Sequence, residues 1–320
     1  MAAKPKAVIV AGPTACGKSD LGIKLANEFC GEIISADSRQ IYCFMNLGTG
    51  KVEGFLDKSY SVYLEDGKIL YPFVSEGVSH WLLDILDPKD FFSSADFQRL
   101  ALKVMSDMVL RNKIPFIVGG TGLYIRSLTE GLVFADVKID DSLRKRLNSF
   151  SLAELQKELL TIDSNAHLLV DMKNSRRVQR ALELMLSGMS SLKEMRKTRE
   201  TEFDYLALGV SIPREELYRL IRVRLDARLE KGMISEVRDL INMGVTLERL
   251  DSFGLEYRYL SRFVAGIISY DEMYERLYIE ICKFAKRQMT WFKKYSNIHW
   301  INSFESAKKL IFDFLRKEKE

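Results

Sequence analysis

Cysteine and histidine are scarce in this sequence: its 320 residues include only four cysteines and three histidines. The cysteines are Cys16, Cys30, Cys43 and Cys282. No two of them form a C-x-x-C pair, and no group of cysteines and histidines has the spacing of a zinc site. The sequence therefore excludes a disulfide-stabilised scaffold and a zinc finger, and we expect four reduced thiols.

Long apolar segments are also missing from the chain. The first apolar run covers only residues 7–11 and ends at Gly12, which is too short for the core of a signal peptide. No later run is long enough to cross a bilayer. The formal net charge of +4 permits a nucleic-acid partner without requiring one. We expect a cytoplasmic protein that has no membrane contact and is a monomer.

Short apolar runs have the composition of strands that are buried on both faces of a parallel sheet. They cover residues 7–11 (AVIVA), 32–36 (EIISA), 114–118 (IPFIV) and 205–212 (YLALGVSI). Helical patterns at residues 19–30, 96–111 and 213–231 alternate with these runs, and Gly31 and Gly232 are expected to end the first and last helix. Within the irregular segment 51–78, Asp66-Gly67 predicts a hairpin.

The segment GPTACGKS matches the pattern G-x-x-x-x-G-K-S/T of a phosphate-binding P-loop. It follows a predicted buried strand and precedes a predicted helix, as that motif requires. Backbone N–H groups and the start of the helix would hold phosphate oxygens, Lys18 would add a cation, and Ser19 suits a Mg²⁺ ligand. This phosphate loop consists of Gly12, Pro13, Thr14, Ala15, Cys16, Gly17, Lys18 and Ser19. Cys16 is interpreted as a small filling residue.

Alternation of strands and helices around a P-loop predicts an α/β fold, a P-loop NTPase-like core in which helices flank a parallel sheet. Residues 136–204 have dense charge and a helical pattern, so we predict a helical insertion there. The core is then residues 1–135 and 205–320. The insertion contains the basic segment KNSRRVQRALEL, which can bind a phosphate backbone or simply form a solvated helix face.

Asp37 comes directly after the second predicted strand, in the segment SADSRQ. A carboxylate at the carboxyl end of a strand beside a phosphate site is well placed to act as a base or to bind Mg²⁺, and the alternative is a turn or helix-capping aspartate. The strand at residues 114–118 ends in Gly119-Gly120 and has no acidic residue there. This argues against an ATP hydrolase of the Walker-B type.

The helix predicted at residues 213–231 carries arginine on its apolar face. At 100° per residue, Arg224 and Arg228 share a face with four apolar residues (Leu217, Leu220, Ile221 and Leu225), whereas Arg219, Arg222, Asp226 and Glu230 lie opposite and are expected to be solvated. A buried guanidinium needs an anion. The alternative to a diphosphate is an internal salt bridge to a carboxylate, or a side chain that extends to solvent at the edge of the apolar stripe. For Arg224 the diphosphate and this alternative are equally favoured, and for Arg228 the alternative is favoured.

An ordered series of segments resembles the tRNA dimethylallyltransferases of bacterial type, also called tRNA isopentenyltransferases. The series is GPTACGKS, SADSRQIY, LGTGK, HWLLDILDP, SSADF, IPFIVGGTGLYI, RRVQRALE, LYRLIRVRLDARLEKG and AKRQMTWFK. It extends over nearly the whole chain. The chain departs from the usual family pattern in three places: Val52-Glu53 follows GTGK, the segment 52–77 is longer, and Glu256-Tyr257-Arg258 replaces Gly-Tyr-Lys/Arg.

The resemblance implies an activity and its partners. Such an enzyme transfers a dimethylallyl group from dimethylallyl diphosphate to N6 of the adenine 3′ of the anticodon, at position 37 of tRNA. It requires Mg²⁺, and its helical insertion clasps the anticodon stem-loop. The target base would leave its stack to reach the pocket.

The same resemblance implies roles for individual residues. Asp37 corresponds to the general base, Arg224 to the arginine that steadies the leaving diphosphate, and the phosphate loop to the diphosphate cradle. Residues that match tRNA-contacting stretches are Asp37, Ser38, Arg39, Gln40, Thr121, Arg144, Arg176, Arg177, Val178, Gln179 and Arg180.

Other functions are compatible with a P-loop. A small-molecule or nucleotide kinase would use ATP as the phosphoryl donor and could use the insertion as a lid. An adenylate isopentenyltransferase would modify free adenosine phosphates, although a small acceptor needs no large basic insertion. A non-catalytic nucleotide-binding module would have no use for Asp37 and Arg224 beside the phosphate loop.

Overall fold

The computed structural model describes residues 3–64, 66–135, 137, 140–295 and 297–317. Within these residues the strands are β1 (Lys6–Ala11), β2 (Gly31–Ser35), β3 (Phe55–Leu56), β4 (Val62–Tyr63), β5 (Ile69–Leu70), β6 (Phe73–Ser75), β7 (Val78–Trp81), β8 (Ile114–Gly119), β9 (Asp204–Val210) and β10 (Ile298–Ile301). In the same residues no helix is both long and apolar enough to cross a membrane.

The helices of the described chain alternate with these strands and continue after β9. They are α1 (Lys18–Glu28), α2 (Ser94–Leu110), α3 (Gly122–Thr129), α4 (Asp141–Asn148), α5 (Leu152–Ile162), α6 (Ala166–Leu169), α7 (Ser175–Leu186), a 3₁₀ helix (Leu192–Arg196), α8 (Arg214–Glu230), α9 (Met233–Asn242), α10 (Leu247–Phe253), α11 (Leu255–Val264), α12 (Tyr270–Phe292) and α13 (Phe304–Arg316).

The main sheet has the strand order β10-β9-β1-β8-β2-β7-β6-β3. The strands from β10 to β7 are parallel, and β6 and β3 are added in antiparallel fashion at one edge. Alternate residues of β1 pack on opposite faces: Val8 and Val10 contact α1 and α13, whereas Ala7 and Ile9 contact α2 and α3. The expected α/β fold, with helices on both faces of a parallel sheet, is confirmed.

The chain divides into two compact units, one formed by Met1–Thr129 with Glu202–Glu320 and the other by Glu130–Thr201. The second unit contains α4 to α7 and the 3₁₀ helix around an apolar core of its own. It overlaps the insertion expected at residues 136–204, whose first residue, Asp136, lies outside the described residues.

Several local predictions are confirmed and others need correction. The hairpin at Asp66-Gly67 forms between β4 and β5, and Gly232 ends α8 with a φ of 99°. Gly31, however, does not end α1, because the left-handed conformation falls on Cys30, with a φ of 52°, and Gly31 opens β2. A Cβ at Gly31 would collide with the ring of Phe116, so glycine is required there by close strand packing.

Besides the short antiparallel strands β3 and β6, two strands of the parallel part of the main sheet, β7 and β10, were not expected. The strand β7 begins at the last residue of the segment 51–78, which was interpreted as irregular or as a hairpin, and β10 lies in the region expected to be helical. Each pairs with few residues at a margin of the parallel part of the sheet. Short strands of this kind lack the long apolar run that identifies a central parallel strand.

Candidate active site

The phosphate loop connects β1 to α1 and has alternating backbone conformations. Ala15 and Gly17 are left-handed, with φ values of 64° and 79°. Such alternation turns successive N–H groups toward one point and forms an anion-binding nest. Because α1 begins at Lys18, the free N–H groups of its first turn add to the positive potential at this point.

The start of the phosphate loop is held by a side chain from the far end of the sequence. The N–H of Thr14 donates to Oε1 of Gln288 at 2.8 Å, and Nε2 of Gln288 donates to the carbonyl of Gly120 at 3.0 Å. One amide therefore joins the loops that follow β1 and β8. The sequence analysis placed Gln288 in the motif AKRQMTWFK without assigning it a role, and only its burial in the structure identifies it.

A cavity of about 870 Å³ opens beside the phosphate loop. Its wall is formed by residues 15–20, by residues 46, 47 and 50–54, and by the face of α8 that carries Arg224 and Arg228. This volume is in the range of pockets that hold small organic ligands. The phosphate loop and the apolar face of α8 therefore share one site.

Lys18 is a partly buried cation in this site. Its Nζ donates to the carbonyl of Pro13 at 3.2 Å. Burial lowers the pKa of the Lys18 ammonium, Arg224 and Arg228 lower it further, and the charges of Cys16 and Asp37 oppose the shift. The site thus concentrates positive charge in a place with little water, where an anion is bound strongly.

Arg224 contacts the phosphate loop directly, because its Nη2 donates to Oγ1 of Thr14 at 2.9 Å. Burial lowers the pKa of Arg224 to about 10, and the neighbouring Arg228 contributes to the shift. The guanidinium is therefore hydrogen-bonded to a neutral hydroxyl inside a cationic cavity. This arrangement favours the diphosphate over an internal carboxylate as the partner of Arg224.

Asp37 lies in the turn after β2, and its hydrogen bonding agrees with the interpretation as a turn aspartate. Its Oδ1 accepts a hydrogen bond from the N–H of Arg39 at 2.9 Å, as in a turn aspartate. Its charge also partly opposes the lowering of the pKa values of Lys18 and Arg224, so it belongs to the electrostatic environment of the phosphate loop. Asp37 is not part of the wall of the 870 Å³ cavity.

The residues around Asp37 are tied to neighbouring loops. The N–H of Ser38 donates to Oγ1 of Thr121 at 3.1 Å, which links the loops after β2 and β8. Arg39 donates to the carbonyl of Ser252 at 3.2 Å. The amide of Gln40 accepts from Ser35 Oγ at 3.0 Å and donates to the carbonyl of Gly50 at 3.1 Å, so this side chain braces the loop from within.

The loop at residues 44–51 contains an internal anion site that the sequence analysis did not identify. The N–H groups of Asn46, Leu47 and Gly48 donate to the carboxylate of Glu236 at 2.8, 2.6 and 3.0 Å. The hydroxyl of Tyr257 donates to the same carboxylate at 2.7 Å. We call residues 44–51 the Glu236-bound loop. Glycine in LGTGK is required because a Cβ at Gly48 would collide with Tyr257.

The face of α8 that the sequence pattern predicts to be solvated makes contacts with α12. The guanidinium of Arg222 lies 4.0 Å from the ring centroid of Tyr278. Asp226 accepts a hydrogen bond from the hydroxyl of Tyr274 at 2.6 Å. The expectation that Arg222 and Asp226 are only solvated is wrong, because α12 packs along this side of α8 and supplies tyrosines to both residues.

In the second unit, a buried carboxylate organises the expected RNA-contacting residues. Glu183 lies 3.4 Å from Nε of Arg144 and 3.2 Å from Nη1 of Arg180. Gln179 donates to Glu183 at 3.3 Å and to Asn148 at 2.6 Å. Glu183 therefore orients Arg144 on α4 and Arg180 on α7.

Three further residues of α7 were predicted to contact tRNA. Arg176 is exposed, and Arg177 is exposed and lies 3.3 Å from Asp171. Val178 is fully buried in the core of the second unit, so its side chain cannot contact an RNA. The helical period explains this correction, because Val178 lies on the same face as Leu182 and away from the arginines.

The available oxygen ligands suit a metal that is bound largely through its substrate. Among the described residues, no three side chains of His, Cys, Asp or Glu are grouped as metal ligands. Ser19 lies in the first turn of α1 and contributes to the cavity wall. Mg²⁺ commonly uses one or two protein oxygens together with phosphate oxygens and water, and Ser19 fits that donor set.

Comparison with protein families gives two matches that together span most of the chain. The model described as IPP transferase matches residues 72–295. The model described as Isopentenyl transferase matches residues 5–85. The tRNA dimethylallyltransferase of Acetivibrio thermocellus is 37% identical over 313 residues, which are 95% of this chain and 94% of that protein.

Solved structures give the same result. The full-length tRNA isopentenylpyrophosphate transferase of Bacillus halodurans is similar with a TM-score of 0.68 and 30% identity, over 98% of this chain and 96% of that one. A eukaryotic dimethylallyltransferase acting on tRNA has a TM-score of 0.77 and 24% identity, over 99% and 81% of the two chains. At 24% identity the second likeness supports the fold alone.

Proposed function

The chain belongs to the tRNA dimethylallyltransferase family, and from this membership we propose how its residues carry out the reaction. The enzyme transfers a dimethylallyl group from dimethylallyl diphosphate to tRNA. We propose that the acceptor is N6 of adenine 37, 3′ of the anticodon. The observation that carries the proposed diphosphate chemistry is the hydrogen bond from Arg224 to Thr14, which brings the cationic face of α8 to the phosphate loop.

The transfer replaces one bond to an allylic carbon by another. The N6 nitrogen of adenine forms a bond to C1 of the dimethylallyl group as the bond from C1 to the diphosphate oxygen breaks. The diphosphate leaves with the electron pair of that bond. Lys18, Arg224 and the N–H groups of the phosphate loop neutralise the charge that develops on the leaving oxygen.

Asp37 removes the proton that the reacting N6 must lose. The exocyclic nitrogen of adenine is a weak nucleophile, so a carboxylate that accepts its proton lowers the barrier. The turn bond from the N–H of Arg39 uses one oxygen of Asp37 and fixes the orientation of the carboxylate. Ser38 and Thr121 fix the turn itself, since they join it to the loop after β8.

Mg²⁺ would be held by the hydroxyl of Ser19 together with diphosphate oxygens. When bound, the ion supplies additional charge neutralisation for the leaving diphosphate. The residues of the chain perform the remaining tasks: the phosphate loop binds the diphosphate, and Gln288 keeps the start of that loop in position.

We assign tRNA binding to both units, each described by its own residues. In the first unit these are Asp37, Ser38, Arg39, Gln40 and Thr121, and in the second they are Arg144, Arg176, Arg177, Gln179 and Arg180. The support for the second group is the arrangement of cationic side chains around Glu183. The reaction is placed in the cytoplasm, where tRNA is found, and the enzyme is expected to act as a monomer.

The decisive experiment is a transfer assay with matched aspartate variants. Unmodified tRNA is incubated with enzyme, Mg²⁺ and dimethylallyl diphosphate, digested to nucleosides, and analysed by mass spectrometry for N6-dimethylallyladenosine. We expect Asp37→Asn to reduce the rate about 10²–10⁴-fold, because the base is lost, and to leave pyrophosphate binding unchanged.

Asp57→Asn is the matched control for this variant. Oδ1 of Asp57 accepts from the N–H of Ser59 at 2.8 Å, which is the same turn bond that Asp37 makes, but Asp57 lies outside the site. Near wild-type transfer by Asp37→Asn would show that the base is misassigned. Faster turnover with AMP as the acceptor would contradict the proposed acceptor. Faster turnover with ATP as a phosphoryl donor would contradict the proposed reaction.

A further inference from the structure

Arg228 is the second arginine on the face of α8 that borders the cavity. The sequence favoured an internal salt bridge for it, and the structure provides a carboxylate neighbour, Glu256 at the start of α11. The distance from Nη1 of Arg228 to Oε1 of Glu256 is 3.9 Å. That distance exceeds the range of a hydrogen bond. Arg228 and Glu256 therefore attract each other electrostatically, but the N–H groups of Arg228 do not donate hydrogen bonds to this carboxylate.

The position of the Arg228 side chain is nevertheless well defined. Only 12% of the side chain is exposed. Its guanidinium packs against Gly50, where an added Cβ would collide with it. Arg228 also forms part of the wall of the 870 Å³ cavity, together with Lys18 and Arg224. The guanidinium thus lies at the surface of the cavity that receives the diphosphate.

The other carboxylates near Arg228 are occupied elsewhere. The groups that oppose the lowering of the Arg228 pKa are Glu256, Tyr257, Glu236 and Asp37, in decreasing order. Glu236 accepts three bonds from the Glu236-bound loop and one from Tyr257. Asp37 accepts the N–H of Arg39. Glu256 is therefore the counter-ion of Arg228 and holds it at a distance rather than through a close ion pair.

Burial makes this arrangement costly unless an anion enters the cavity. It lowers the pKa of Arg228, and Arg228 in turn lowers the pKa values of Lys18 and Arg224. Burial also raises the pKa of Glu256, and Arg228 opposes that shift. Three neighbouring cations with a loosely associated carboxylate favour a multiply charged anion, because each guanidinium can donate two parallel bonds to phosphate oxygens.

We propose that Arg228 is a second diphosphate-binding arginine, and that Glu256 is a positioning residue that competes with the diphosphate for its guanidinium. This inference rests on the proposed function, because it assumes that the cavity receives a diphosphate. Removal of Arg228 weakens diphosphate binding. Neutralisation of Glu256 strengthens it, since the competing charge is lost.

The test is isothermal titration of the full-length enzyme with inorganic pyrophosphate, in the presence and absence of Mg²⁺. Arg228→Met is expected to weaken binding roughly tenfold or more, the loss of a charge-assisted pair. Arg228→Lys, which keeps the charge but not the planar fork, is expected to weaken it roughly two- to fivefold. Glu256→Gln is expected to strengthen binding roughly two- to fivefold.

Arg219→Met is the matched control, because Arg219 forms an exposed pair with Glu216 on the same helix, with Nη2 and Oε1 separated by 2.6 Å. It is expected to leave pyrophosphate affinity unchanged. Thermal melting of every variant identifies unfolded protein, and Arg228→Lys and Glu256→Gln keep the test valid if Arg228→Met does not fold.

The opposite signs of the two effects separate a binding role from a structural one. If Arg228 and Glu256 only stabilised the fold, both neutralising variants would lower the melting temperature and neither would change the affinity of folded protein, which would overturn the inference. If the wild-type enzyme bound no pyrophosphate and modified no tRNA, the proposed function would fail. Wild-type binding and transfer with an unaltered Arg228→Met affinity would overturn only the role of Arg228.

Discussion

The phosphate loop and the Glu236-bound loop both use left-handed residues to shape the backbone, but they differ in where the anion comes from. In the phosphate loop these residues are Ala15 and Gly17, and in the other loop they are Phe44 and Gly50. The second loop binds a carboxylate of the protein itself, Glu236. Both loops border the cavity lined by cations, and the phosphate loop ends at one of those cations, Lys18.

The Glu236-bound loop is therefore a structural anion site, whereas the phosphate loop is a site for an anion that exchanges with solution. A carboxylate supplied by α9 is present in every folded molecule, so its bonds contribute to the stability of the fold. The positive charge around Lys18 destabilises the folded enzyme, because burial of the Lys18 ammonium lowers its pKa. The comparison predicts that variants of the first loop lose activity, whereas variants of the second lose stability.

The largest effect is expected for Lys18→Met. Loss of a partly buried cation that contacts the leaving group should reduce transfer to tRNA about 10²–10³-fold. The melting temperature should stay the same or rise, because desolvation of the ammonium opposes folding. Single-turnover transfer and thermal melting measure the two quantities on the same preparation. A large fall in melting temperature would contradict the view that this loop is organised for an exchangeable anion.

A smaller effect, of a different kind, is expected for Glu236→Gln. The variant replaces one acceptor oxygen by an NH₂ group that faces backbone donors, so the free energy of unfolding should fall by about 1–3 kcal/mol. Chemical denaturation measures this change. Pyrophosphate affinity of the folded fraction should stay close to that of the wild type. A loss of affinity without a loss of stability would show that the two loops do not have separate roles.

The smallest effect is expected for Cys16→Ala. Cys16 is buried in the phosphate loop, and its Sγ fills the space beside Gly12. Removal of a small side chain at this position should change stability by less than about 1 kcal/mol and transfer by less than about threefold. Steady-state assays measure the second quantity. Complete loss of activity would instead assign a chemical role to the thiol.

The sequence predicts those parts of the site whose signals are local. The pattern GPTACGKS lies between an apolar run and a helical pattern, and these three features together specify the phosphate loop. Asp37 is predicted for the same reason, because the carboxyl ends of parallel strands meet at one edge of a sheet. Arg224 is detected through its position on an apolar helix face.

Contacts between residues that are distant in the sequence could not be predicted in this way. Glu236 is separated from Gly48 by 188 positions, and Gln288 is separated from Thr14 by 274. Nothing in either local pattern distinguishes these residues from ordinary polar residues of amphipathic helices. The strands β7 and β10 were not predicted for a related reason. Their pairing is decided by the neighbouring strand and not by their own composition.

The contact between Gln288 and Thr14 has a consequence for the order in which the enzyme is made. A ribosome completes the phosphate loop among the first residues of the chain, whereas the glutamine that fixes the loop is added 274 positions later. A nascent chain that lacks α12 has the diphosphate motif without its brace. The phosphate loop therefore acquires its complete set of contacts only after α12 has been synthesised.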